Sequence, residues 1–229
     1  MATVAVLGIM LAGAGPLAAQ EKLETISVTG SHKALAFKLD RIRRDFARFN
    51  DLPESERDKV RLSFYLAGKQ VPDTSALELA IVSDLETLPV SVTAHGRVDI
   101  PQAVMDMKGD AVLQSNTAGA PFNIIYKIDV VPESPGLMKV SYLRSAITQA
   151  RSAWKKEYGA GSLLVPRFNC ASFQFSSIQP VNIEDENHSV VWSASGTDVK
   201  VPLSSQALPD DAKLLWDDGQ LVRIAACKE

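Results

Sequence analysis

Two stretches of this chain decide how it is read: GRVDIPQAVMDMKGDAVL, residues 96–113, and GTDVKVPLSSQALPDDAKL, residues 196–214. Gly96, Val98, Ile100 and Pro101 match Gly196, Val199, Val201 and Pro202 once Thr197 is taken as an insertion. From the proline onward the spacing is the same: Ala111 lies ten residues after Pro101 and Ala212 ten after Pro202, with Leu113 and Leu214 two further on. Upstream, PVSVTAHG (89–96) faces VVWSASG (190–196), and LSFYL (62–66) faces ASFQF (171–175). Each copy spells a strand, a tight turn at glycine and a second strand closed by proline. Glycine supplies the turn geometry, and proline ends the pairing because it has no N–H to donate. These residues are scaffold grammar and carry no binding code.

Each copy is preceded by a helical pattern. KALAFKLDRIRRDFARF places Leu35, Leu39, Ile42, Phe46 and Phe49 on one stripe at three- and four-residue steps. KVSYLRSAITQARSAWKKEYG does the same with Leu143, Ile147, Ala150, Trp154 and Tyr158. At an offset of 108 residues Leu35 meets Leu143, Leu39 meets Ile147, Phe46 meets Trp154 and Arg43 meets Arg151. Residues 33–48 carry six basic and two acidic groups, residues 139–158 five and one, so both helices are net +4. The strand-rich segments 60–138 and 163–229 each carry five basic and nine acidic groups, net −4 apiece. Period plus identities predicts a tandem duplication.

Around the quoted stretches the remaining text is β. VRLSFYL alternates Val60, Leu62, Phe64 and Leu66 against Arg61, Ser63 and Tyr65. LELAIVS, AVLQS and FNIIYKIDVV follow in the first half, and ASFQFS, VNIE, AKLLW and QLVRIAAC in the second. Gly, Pro, Asn and Asp punctuate them, with Asp217-Asp218-Gly219 as a hairpin signal. Gly159 and Gly161 end the second helix, and VVPESPG (130–136) is the linker between halves. The expected fold is α+β, mainly β: two tandem repeats, each an amphipathic helix followed by an antiparallel β-sandwich-like domain. The divisions are a signal peptide over 1–19, a first unit over 20–135 and a second over 136–229.

The first residues, MATVAVLGIMLAGAGPLAAQEK, look like a secretory signal, although the n-region carries only the terminal amine as positive charge. The apolar run from Val4 to Met10 is followed by small residues and a cleavage point after Ala19. No later segment is long and apolar enough for a membrane helix. A periplasmic or secreted protein follows. In that compartment the two cysteines, Cys170 and Cys227, are expected to pair as a structural disulfide. Among 229 residues 22% are charged and the net charge is −3, which suits a folded protein and argues against a basic nucleic-acid binder.

Catalytic motifs are sparse. The three histidines, His32, His95 and His188, lie far apart beside turn residues, and no HExxH, CxxC, EF-hand loop or GxSxG occurs. EDENH (184–188) has an acidic character but no metal-ligand spacing and reads as a solvated turn. SAWK (152–155) matches SxxK without the SxN and KTG partners that chemistry needs. The arginines of the first helix, Arg41, Arg43, Arg44 and Arg48, are interspersed with Asp40 and Asp45, as on an exposed mixed-charge face. No catalytic, cofactor-binding or metal residue is assigned, and no cofactor is expected. The expected function is a non-catalytic binding or envelope-assembly role with an envelope protein partner, acting through an exposed sheet face or the cleft between halves. The alternative is a small hydrolase or accessory enzyme with a loop-assembled site at His95 or His188.

Two local resemblances add to this. LETISVTGSH (23–32) resembles the TonB-box peptide of TonB-dependent outer-membrane receptors. The chain cannot build their barrel and plug, so the likeness implies export into a Gram-negative envelope. TAHGRVDIP (93–101) resembles the strand-turn-strand of transthyretin-like and carboxypeptidase regulatory-like β-sandwich modules, without their later Gly-Tyr signature. That likeness implies a non-catalytic adhesive or accessory module.

Overall fold

The computed structural model of the protein describes residues 37–68, 74–107, 110–116, 122–204 and 208–228. The signal-like segment, the TonB-box-like peptide with His32, and Leu35 lie outside the described residues.

A two-residue strand β1 (Phe37–Lys38) leads into helix α1 (Leu39–Asn50). The helix starts six residues later than its sequence pattern because the sheet takes the backbone ahead of it. Phe37 and Lys38 pair with Leu113 and Val112, and Leu39 N donates to Ala111 O at 3.0 Å. Leu39, Ile42 and Phe49 are buried, and Phe46 packs its ring 5.2 Å from that of Phe64. Strands β2 (Val60–Gly68), β3 (Leu79–Val82), β4 (Thr87–Val92), β5 (Arg97–Asp99), β6 (Val112–Ser115) and β7 (Phe122–Val130) complete the first half.

The second half opens with β8 (Leu137–Lys139) and α2 (Val140–Tyr158), whose buried residues are Val140, Leu143, Ala146, Ile147, Gln149, Ala150 and Ala153. Gly159, at φ +52°, ends the helix, and a 3-10 turn over Gly159–Leu164 follows. Strands β9 (Cys170–Glu184), β10 (Val190–Pro202), β11 (Lys213–Leu215) and β12 (Leu221–Cys227) finish the chain.

All described pairings between these strands are antiparallel. Their order is β1-β6-β3-β4-β5-β2-β7-β12-β9-β11-β8, with β10 on the other side of β9. The protein is mainly β with two helices, as its alternating text implies. The ladder does not stop at the linker, however. Asp129 of β7 pairs with Ala225 of β12, so hydrogen bonding continues from one half into the other. The helices also share a small core of Phe49, Leu52, Val60, Ile128, Ala150 and Ala153, set between larger clusters around Ile42, Phe64 and Ile81 and around Leu143, Phe173 and Ile183. Gly136 in the linker has φ +70°, and a Cβ there would lie 2.9 Å from Trp216 O, so only glycine fits the approach.

Two local expectations are corrected. Gly96 makes the tight turn (φ +76°, Gly96 N to Thr93 O 2.9 Å), but Gly196 lies inside the unbroken strand β10, at a bulge between Gly196 and Asp198. The long partner β9 pairs along the whole of VVWSASGTDVKVP, so no reversal is required there. Asp217-Asp218-Gly219 does not close a hairpin either. It links β11 and β12, which each pair with a different part of β9 and not with one another.

Candidate functional site

Where the two helices meet, α1 presents Arg41, Arg44 and Arg48 at three- and four-residue steps, which places them on one face. Together with Asp45, Tyr126 of β7 and Glu157 of α2 they line a cavity of about 290 Å³. Arg48 Nη1 lies 3.0 Å from Glu157 Oε1, and the Glu157 side chain is only 9% exposed. Asp45, 6% exposed, lines the same cavity as Glu157. Burial, then the neighbouring Glu157 charge, pushes the Asp45 carboxyl up to about 6, against the lowering pull of Arg41 and Arg48. Burial, Glu157 and Asp45 also hold the Tyr126 hydroxyl above its ordinary range, so it remains a donor. Arg41 stacks over the Phe37 ring at 5.5 Å, and Arg44 has no ion pair or hydrogen bond to a described residue.

The cavity therefore has three arginines and two largely buried carboxyls in its lining. It can hold a small anion between guanidinium groups while offering Asp45 or Glu157 to a hydroxyl or amine. No Ser, Cys or His lines it.

A second cavity of about 310 Å³ opens where β5 leaves β2 after Phe64↔Val98, beside Arg61, Ser63, Asp99 and Gln102. Arg97 and Asp99 are already paired there at 2.9 Å. Deeper in the sheet, Tyr65 donates to Asp129 Oδ2 at 2.6 Å, and Arg223 Nη2 lies 2.6 Å from Asp129 Oδ1. That contact is an ion pair whose angles fall short of a hydrogen bond, leaving Asp129 Oδ1 and Arg223 Nε without a hydrogen-bond partner. Arg223 and Lys127 also lie over the Tyr65 ring, at 5.1 and 5.0 Å. Asp129 is fully buried, and the cluster ties β2, β7 and β12 together where the halves join.

The sequence-level candidates fall elsewhere. His95 is exposed in the turn before Gly96. His188 is 78% exposed at φ +60°, with Nδ1 3.6 Å from Glu184 Oε2. Neither lines either cavity. In the acidic turn Asp185 Oδ1 accepts from the N–H groups of Asn187 and Ser189, both at 2.9 Å, so the carboxylate caps its own turn. Among the described residues no group of three or more His, Cys, Asp or Glu is placed to hold a metal ion. Of the SAWK residues, Trp154 packs 5.6 Å from the Tyr126 ring and Lys155 is exposed. Cys170 and Cys227 form a disulfide between facing residues of β9 and β12.

Sequence reasoning named Arg41, Arg44 and Arg48 but read Asp45 as one charge on a mixed face, and passed over Tyr126 and Glu157. Their meeting depends on how α1 packs against α2, which no spacing encodes. Comparison with protein-family models, with curated proteins and with solved structures gives no match for this chain.

Proposed function

We propose that this protein is an exported, non-catalytic binding module of the cell envelope, built from two copies of one helix-and-sheet unit, which holds a small carboxylate- or phosphate-bearing ligand in the cavity between its helices. One observation carries the ligand reading: Arg44, without an ion pair or hydrogen bond to a described residue, and stacked Arg41 share with two buried carboxyls a cavity at the lower end of ligand-pocket size, roughly 300 Å³. The disulfide and the signal-like N-terminus support export.

Support for the duplication comes from matching ladders. In the first half the order is β1-β6-β3-β4-β5-β2-β7. In the second, β8 and β11 stand for β1 and β6, the C- and N-terminal parts of β9 for β3 and β2, β10 for β4 and β5, and β12 for β7. Leu39 N donates to Ala111 O and Val140 N to Ala212 O, at 3.0 and 2.9 Å. Arg43 donates to the carbonyls of Val104 and Met107, and Arg144 to those of Leu203 and Leu208. These contacts support a register that aligns Leu39 with Val140, an offset of 101 residues, with Arg144 rather than Arg151 as the counterpart of Arg43. The cavity residues are not duplicated: in this register Arg44, Asp45 and Arg48 correspond to Ser145, Ala146 and Gln149. An envelope protein partner has an available docking element in β10, whose outer edge pairs with no described strand.

Thermal-shift and calorimetric titration with a panel of small carboxylates and phosphates tests the ligand reading. At least one class should raise Tm at millimolar concentration, and Arg44→Ala should abolish the shift. A panel without effect, or an unchanged response in Arg44→Ala, rejects it.

A further inference from the structure

Beyond the cavity, the end of α2 has a surface of different character. Leu163 and Leu164, in the 3-10 turn after Gly159, are 96% and 81% exposed, and Tyr158 just before them is 56% exposed. Side chains this open project clear of their neighbours. Lys155, Lys156 and Arg167 around them are exposed as well. The only acidic residue between 151 and 168, Glu157, faces inward and is held by Arg48. The turn thus exposes two leucines and a tyrosine, with three exposed cations close by in sequence.

The geometry points to shallow insertion of this turn into an anionic lipid bilayer. Exposed leucines reach the acyl boundary while the lysines and arginine meet the phosphate plane, the division that interfacial anchors use. Two adjacent leucines on a projecting turn bury little against a folded protein, whose specific interfaces need about 1,000 Å². A fluid surface accommodates them without a matching groove. Among the described residues no helix is long and apolar enough to cross a membrane, so the contact is peripheral on the helical elements. This inference stands apart from the ligand reading, since none of the leucines and cations proposed to meet the bilayer lines the cavity.

Vesicle flotation of the full chain tests it, with phosphatidylcholine vesicles alone or mixed with phosphatidylglycerol. The protein should float with the mixed vesicles and be released by molar salt. Leu163→Asp/Leu164→Asp and Lys155→Glu/Lys156→Glu should each weaken binding at least about tenfold. Absence of binding, equal binding to phosphatidylcholine alone, or unweakened binding of the leucine variant overturns the proposal. It is also overturned if the leucine variant lowers Tm by several degrees, which would mean the chain covers its own leucines. Loss of a dimer in that variant without any vesicle binding overturns it too, and assigns the patch to a second copy of the chain.

Discussion

At the scale of single residues, the carboxyl pair Asp45–Glu157 is where the fold is most sensitive to pH. The folded state raises Asp45 from 3.8 to about 6, so it favours the protonated form. The cost of ionisation is absent below about pH 4, grows as pH rises, and is complete above about pH 6. Asp45→Asn should therefore be at least as stable as the wild type at neutral pH, with the two melting curves converging below about pH 4. A variant clearly less stable at neutral pH would show that Arg41 and Arg48 outweigh burial. The same proton controls the proposed ligand. A neutral carboxyl beneath Arg41, Arg44 and Arg48, with Tyr126 still a donor, repels an anion less. For a carboxylate ligand, which stays ionised over this range, affinity should rise as pH falls through about 6 in the wild type and stay flat in Asp45→Asn, as measured by calorimetry at each pH. Asp45 is written in the sequence only as a charge among arginines. Its partner is more than a hundred residues away, and the raised pKa comes first from burial and then from that neighbouring carboxyl.

Elements show how similar words acquire different structures. TAHG turns and SASG runs straight, because β9 is long enough to pair with β10 on both sides of the bulge. Gly96→Ala should cost about 1–2 kcal/mol, since an L residue at φ +76° is strained. Gly196→Ala should be near neutral, because its Cβ would meet nothing closer than 3.6 Å. Equal losses in urea denaturation would contradict this division. The disulfide acts on the same scale: Cys170 and Cys227 close a 57-residue separation at the end of the β9–β12 ladder. Replacing both with alanine should remove about 2–4 kcal/mol of stability. A double variant with an unchanged urea midpoint would show the bridge to be idle. The pairing was legible from the cysteine count together with the expectation of export. The failed hairpin at Asp217–Gly219 was not, because turn chemistry specifies a local bend and leaves open which strands lie beside each other.

For the molecule as a whole, the joint between halves carries the consequences. Asp129 is fully buried against Arg223 and Tyr65, at the one registered pair joining β7 to β12. Removing one partner of a buried ion pair strands the other, so Asp129→Ala should cost about 3–5 kcal/mol. With a continuous ladder and a shared interhelix core, the halves should unfold together. Trp154, Trp192 and Trp216 report the second half by fluorescence, far-UV circular dichroism reports both, and the two urea transitions should coincide. Separate transitions would show independent units. By itself the sequence determined the strand-rich class, the amphipathic helices, the cysteine pair and the recurrence of one pattern of glycine, proline and apolar spacing. Alternation, helical period and turn residues act over a few neighbours, and those are readable in one dimension. Only the tertiary structure decided that the ladder crosses the linker, that Gly196 runs on inside a strand, and that Asp45, Tyr126 and Glu157 share a cavity. Those outcomes depend on which surfaces pack and which charges lose water, and both are properties of the assembled chain.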